Sequence, residues 1–264
     1  MADESYGEMH MLHKPQPGNH LLDVVAIHGL NGDSLKSWTH ADSTLWLRDM
    51  LPQVLEGARV MSFGYDASVF CSDTGSVRKI AKQLLADVRG EREDSEPCPI
   101  VFLAHSLGGI VTKQALIHAN KDPKKFSDIA ESTKGIVFFG TPHRGSDVAD
   151  WTAVVSDILQ AAMARPQSRL LHALQSHSTE LWKVSMDFRP LASKYAITSF
   201  YESHEHPVLR KLVVGRMSAV MGLPHEDDIM MNGTHSTICK FSKGDRRFAR
   251  AWKAIRRTAK GVEG

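Results

Sequence analysis

Apolar residues in this chain fall into short runs, and between the runs they recur at helical spacing. The runs are Leu21 to Ile27 (apolar apart from Asp23), Arg59 to Phe63 (apart from Arg59 and Ser62), Ile100 to Ala104, Lys134 to Phe139 (after Lys134), Ala196 to Tyr201 (apart from Thr198 and Ser199) and Leu212 to Val214. A strand with one wet face alternates. Continuous apolar runs instead predict strands buried on both faces, as in a parallel sheet covered by helices. Leu45, Leu47, Met50 and Leu51 begin a helical stretch that Pro52 bends or ends. Val77, Ile80, Ala81, Leu84, Leu85 and Val88 form one face of an amphipathic helix that Gly90 closes. Ile110, Val111, Ala115 and Leu116 mark another helix, and a last one runs from about Asp245 with Phe248, Trp252 and Ile255 on one face. Residues 1–20 are polar, broken by Pro15 and Pro17, and read as an edge strand or arm. Strand alternating with helix predicts an α/β protein with a doubly wound, mostly parallel sheet. The rhythm breaks over about 147–195. There Trp151, Val154, Val155, Ile158, Leu159, Leu170, Leu171, Leu174, Leu181 and Trp182 predict two or more helices, a cap inserted into one domain spanning 1–264.

Composition narrows this little. With 264 residues, 42% hydrophobic and 23% charged, the chain has ordinary globular proportions and room for one large core. A net charge of +2 argues neither for nor against a polyanion, and no nucleic-acid partner is expected. Cys71, Cys98 and Cys239 are scattered and odd in number, which suits a reducing compartment and offers neither a disulfide framework nor a zinc spacing. The start has no basic and apolar leader, and no run is long enough to span a bilayer. A soluble cytoplasmic protein without metal or cofactor is the expectation. The arginines of the last helix, Arg246, Arg247, Arg250, Arg256 and Arg257, read as a solvated face. Peripheral contact with anionic lipid headgroups is the second reading.

The chemistry starts at Ala104-His-Ser-Leu-Gly-Gly109. A buried strand runs into a tight turn carrying Ser106, and a helix follows. That is the form of a nucleophile elbow, G-x-S-x-G, with Ala104 as the first small residue. A serine hydroxyl needs a histidine to take its proton and a carboxylate to hold that histidine. In this architecture they follow in the order Ser, acid, His. His235, after the last strand and before the last helix, is the candidate base, and His225 is its rival. Glu202, at the end of the Ala196–Tyr201 strand, is the candidate acid, because ligand sites lie at the carboxyl ends of such strands. Glu226, Asp227 and Asp228, on a loop before His235, are its rivals, with Asp147 and Asp150 further behind. An oxyanion needs aimed backbone donors. Leu107, after the nucleophile, is one. The loop His28-Gly-Leu-Asn-Gly-Asp33 offers the N–H of Leu30, with Gly29 allowing close approach to substrate. His28 and His105 read as structural supports. Trp151 and Trp182 of the cap are core residues that would also face substrate if the cap covers the crevice.

Taken together and in order, His28–Asp33 with Trp38, Phe63-Gly-Tyr-Asp66, Ala104–Gly109, Phe139–Ser146, Phe200-Tyr-Glu202 and His235–Phe241 resemble the lipase-like α/β-hydrolases of the serine-active-site-containing protein type. The GPI inositol-deacylase group is more distantly similar. The resemblance covers about residues 6 to 255. It implies an α/β-hydrolase fold, Ser106 as nucleophile, Glu202 as acid, His235 as base, and carboxylic esters, phospholipids or other acyl lipids among them, as substrates. In fungi such domains stand at the N-terminus of receptors bearing NACHT, ankyrin or TPR domains, so C-terminal receptor-type domains in a longer parent protein are a further expectation. Two other functions compete with ester hydrolysis: a non-catalytic binding or signalling module on the same fold, and acyl transfer by the same triad to another acceptor.

Overall fold

The computed structural model describes residues 7–67, 70, 74–145, 148–163 and 168–262. Its seven strands are β1 (Gly7–His13), β2 (Leu22–Ile27), β3 (Ala58–Tyr65), β4 (Ile100–His105), β5 (Thr133–Phe139), β6 (Ala196–Glu202) and β7 (Glu226–Met231). They form one sheet in the order β1-β3-β2-β4-β5-β6-β7. Only β1 is antiparallel, on the edge beside β3; the other neighbours pair in parallel. The arm expected over residues 1–20 is therefore an edge strand where it is described.

Helices cover both faces. They are α1 (Trp46–Asp49), α2 (Leu51–Val54), α3 (Thr74–Arg92), α4 (Gly108–Lys121), α5 (Pro123–Ser132), α6 (Val148–Ala162), α7 (Ser168–Phe188), α8 (Arg216–Ala219) and α9 (Arg246–Thr258). Period-two alternation along the buried strands splits the apolar residues into two cores. Val25, Ile27, Phe63, Phe102 and Phe138 pack with α3, α4, α6 and α7. Val24, Ala26, Val101, Leu103 and Phe139 pack with Trp38, Trp46, Phe248 and Ile255. Continuous hydrophobicity in β2, β4 and β5 is thus two faces interleaved.

Two boundaries differ from expectation. Leu212–Val214 is not a strand. The seventh strand is Glu226–Met231, a stretch read as loop because of its acidic start. It is an edge strand, half exposed, where charge is tolerated and discourages further pairing. Gly90 does not close α3, which continues to Arg92. In that extra turn Arg92 closes onto the buried Asp23 carboxylate. Pro52 does interrupt the early helix, which divides at Met50 into α1 and α2. On α9, Arg247 pairs with Asp245, Arg257 with Asp227, and Arg256 lies over the Trp252 ring. Much of that basic face is already engaged.

Candidate active site

β4 ends at His105 and α4 begins at Gly108, so Ser106 and Leu107 alone make the turn. Ser106 has φ 54°, a left-handed conformation that side chains other than glycine rarely adopt. Three bonds hold it there. Its N–H donates to Phe139 O at 2.9 Å, and its carbonyl accepts from Gly109 N–H at 3.1 Å and from the Thr141 hydroxyl at 2.9 Å. The small residues are a packing requirement. A Cβ on Gly108 would lie 2.2 Å from the His28 carbonyl oxygen, and one on Gly29 would lie 2.6 Å from Ser106 Cβ. The loop after β2 therefore presses directly onto the elbow.

That loop has its own support. His28 is fully buried. Its Nδ1 donates to Gly29 O at 2.9 Å, its Nε2 accepts from Tyr65 N–H at 3.2 Å, and the Tyr65 hydroxyl donates to His28 O at 2.7 Å. Burial lowers the His28 pKa, so the ring is neutral. Among the described residues, the Leu30 and Leu107 N–H groups have no protein acceptor. Leu107 directly follows Ser106, and Leu30 follows Gly29, which packs against it, so both N–H groups are open donors on the elbow and the loop that presses on it.

The loop after β7 brings His235 across. Its Nε2 accepts a hydrogen bond from the Ser106 hydroxyl at 2.8 Å. His105 Nε2 donates to the His235 carbonyl at 2.8 Å and positions its backbone. Burial pushes His105 down to about 4 and lowers His235 well below its ordinary range. Both rings are thus neutral, the form a proton acceptor needs. His235 Nδ1 faces Glu202 Oε2 at 3.9 Å, and neither atom has another hydrogen-bond partner. Glu202 ends β6 and is 1% exposed. Its Oε1 accepts from Val214 N–H. Burial pushes this carboxyl up to about 7, against the lowering effect of the Val214, Val213 and His235 backbone N–H groups. Hydroxyl, imidazole and carboxyl thus follow one another at one end of the sheet.

Among the described rivals, Glu226, Asp227, Asp228 and His225 are engaged elsewhere. In the parallel sheet Glu226 pairs with Ile197, whereas Glu202 pairs with Met231. Glu226 therefore stands five residues, about 16 Å, from the level of Glu202. Its carboxylate accepts from Ser199 Oγ and from the N–H groups of Met221 and Gly222. Asp227 and Asp228 pair with Arg257 and Arg216. His225 contacts Ala192 O at 3.2 Å. Asp150 lies in the first turn of α6, and Asp147 lies outside the described residues, as does Cys71.

A crevice of about 170 Å³ opens at Ser106 and His235. α6 supplies part of its wall through Ile158, Ala161 and Ala162, and Leu30, Ser37 and Lys240 complete much of the rest. α6 is tied to the donor loop by Asn31 Nδ2, which donates to Ala162 O at 2.8 Å. The expected tryptophans are not part of this lining. Trp151 is fully buried in the core, seven residues or about 10 Å before Ile158 along the helix. Trp182 of α7 packs against the same core. Helical periodicity identified α6 as a cap element without showing which of its turns reaches the serine. Asn31, Ser37 and Lys240 carried no signal beyond belonging to the quoted motifs or their flanks.

At the opposite end of the sheet, His20, Asp23 and Cys98 bring three ligand atoms within 4.8 Å of one another. Asp23 is already committed there. Arg59 binds both carboxylate oxygens at 2.6 and 2.9 Å, and Arg92 contacts one of them. Two guanidinium charges on the same carboxylate oppose a cation, so this is a buried ion cluster joining β2, β3 and α3. Among the described residues no helix is long and apolar enough to cross a membrane.

A parallel sheet of this order, with a left-handed serine between β4 and α4 and a histidine after β7, defines a lipase-like α/β-hydrolase. A family model described as "Putative serine esterase (DUF676)" matches residues 16–180, more than half of the chain, and the chain belongs to that family. Protein SERAC1 of Bos taurus is 27% identical, with 84% of this chain and 36% of that protein covered. Protein SERAC1 of Danio rerio is also 27% identical, with 84% and 37% covered. The chain thus spans little more than a third of the length of these curated relatives. Among solved structures, the mature form of Bacillus licheniformis lipase BlEst2 shares the fold, with a TM-score of 0.59 at 18% identity, covering 95% of this chain and 98% of the lipase. The metagenomic α/β-hydrolase MGS-MChE2 has a TM-score of 0.57 at 14% identity, covering 95% and 94%.

Proposed function

We propose that the protein is a carboxylic ester hydrolase acting through a Ser106–His235–Glu202 triad and a covalent acyl-enzyme. The observation that carries this is the 2.8 Å hydrogen bond from the strained Ser106 hydroxyl to a buried, neutral His235, with Glu202 facing the other ring nitrogen. His235 takes the Ser106 proton as Oγ attacks the ester carbonyl. The oxyanion is held by the N–H groups of Leu30 and Leu107. The proton passes from His235 to the departing alcohol, and the acyl group stays on Ser106. A water activated at His235 then releases the acid. Glu202 holds the imidazole and, once ionised, stabilises the imidazolium. Its 3.9 Å separation from Nδ1 closes to hydrogen-bond range as charge develops on the ring. The substrates are acyl esters, lipid esters among them, with Gly29 letting the carbonyl approach the donors.

Labelling with a fluorophosphonate and turnover of short 4-nitrophenyl esters test this together. Wild type is expected to be labelled at Ser106 and to turn over. Ser106→Ala is expected to keep its fold by circular dichroism and lose kcat by about 10⁴-fold or more. Folded wild-type protein that neither labels nor turns over would return the chain to the binding-module reading.

A further inference from the structure

The crevice at Ser106 has a charge that the hydrolytic chemistry does not use. Lys240 belongs to its lining, and the rest of the described lining is aliphatic, hydroxyl, amide or neutral imidazole. The lysine is half-buried. Among the described residues its ammonium has no hydrogen-bond or ion-pair partner. Its backbone is fixed. The Lys240 N–H donates to Thr237 O at 3.1 Å, and its carbonyl accepts from Arg247 at 3.0 Å. The preceding residue, Cys239, is fully buried and accepts from the Trp46 indole at 2.8 Å. The side chain therefore starts from a rigid point and reaches the crevice from the loop that carries His235.

An unpaired ammonium beside low-dielectric walls attracts an anion more strongly than one in open water. A crevice of about 170 Å³ is smaller than the roughly 300–1,000 Å³ of an ordinary small-molecule site, which suits a short acyl group. We propose that Lys240 is a specificity-determining residue that selects short acyl esters bearing an anionic oxygen group, carboxylate or phosphate. The inference rests on the ester hydrolase reading above. Ile158, Ala161 and Ala162 of α6 receive the apolar part of the substrate. The anionic part lies toward Lys240, where an ammonium–carboxylate or ammonium–phosphate hydrogen bond replaces lost water contacts.

The test compares kcat/KM for matched esters on the same preparation. 4-Nitrophenyl succinate against 4-nitrophenyl butyrate places the charge on the acyl side. Phenyl butyrate carrying a para-carboxylate or para-phosphate, against phenyl butyrate itself, places it on the alcohol side. Each anionic-to-neutral ratio is independent of the folded fraction. At least one ratio is expected to fall about tenfold in Lys240→Gln and to be restored in Lys240→Arg, while Lys253→Gln on α9 leaves it unaltered. Ratios that stay within about twofold of wild type in Lys240→Gln overturn the proposal. So does a folded Lys240→Gln that is inactive on every ester, because that places Lys240 in the reaction itself. A wild type inactive on the neutral esters as well defeats the hydrolase reading, and the proposal falls with it.

Discussion

Glu202 shows what burial does to a single group. Held 1% exposed at the end of β6, its carboxyl is raised by desolvation from 4.5 to about 7. The folded protein therefore binds this proton more tightly than the unfolded chain does. The resulting stabilisation is complete below about pH 4.5 and is lost as pH rises through 7. A shift of that size is worth on the order of 3 kcal/mol. Glu202→Gln, which stays neutral, is expected to gain stability over wild type between pH 5 and pH 8 by up to about that amount. Urea unfolding at both pH values measures it; an equal difference at the two values would contradict it. Activity runs the other way. In the proposed triad ionised Glu202 supports the imidazolium, so kcat/KM is expected to rise with pH through an inflection near 7 that belongs to the Glu202–His235 pair. Glu202→Gln should abolish that inflection and lower kcat by at least about 10²-fold.

Among the elements, contact rather than chain flexibility decides the elbow. The Cβ that Gly108→Ala adds would stand 2.2 Å from the carbonyl oxygen of His28, just after β2, which the Tyr65 hydroxyl holds at 2.7 Å. That variant is expected to lose stability by about 2 kcal/mol or more, seen as a lower denaturation midpoint. α6 gives a gentler case. Asn31→Ala removes the 2.8 Å bond from the donor loop to the α6 C-terminal turn. Hydrogen exchange near Ala161 and Ala162 should quicken, and KM should rise more than kcat falls. Unchanged exchange would show that apolar packing alone holds α6 over the crevice.

On the scale of the whole molecule, the two ends of the sheet have separate duties. Ser106, Glu202 and His235 of the proposed triad gather at the carboxyl ends of β4, β6 and β7. The Asp23–Arg59–Arg92 cluster sits at the amino end of β2, opposite Ile100, about 20 Å below the elbow. The arginines hold Asp23 below the ordinary carboxylate range despite its burial. Its contribution to stability is therefore present above about pH 4 and lost as pH falls. Asp23→Ala strands two buried guanidinium groups and is expected to cost about 3–5 kcal/mol. The specific activity of the molecules that remain folded should be unchanged. A selective loss of kcat at constant stability would show that the two ends are coupled.

Local pattern was enough for the class of fold and for the order of the candidate site. Apolar runs five to seven residues long announced β2 through β6, because a strand covered on both sides has no wet face to interrupt it. Ser106 was legible because a sharp strand-to-helix turn demands small neighbours, and His235 because chain order leaves few places for a base. Convergence was not local. That Glu202 and not Glu226 faces His235 follows only from the register of β6 against β7, where a parallel pairing sets one carboxylate at each end of the sheet. The acidic β7 was hidden because an edge strand is defined by backbone pairing rather than by apolar side chains. The place of Trp151 in the core, and of Ile158 and Lys240 at the crevice, depended on how α6 and the His235 loop dock. Docking is fixed by packing between residues far apart in the chain, and no stretch of sequence records it alone.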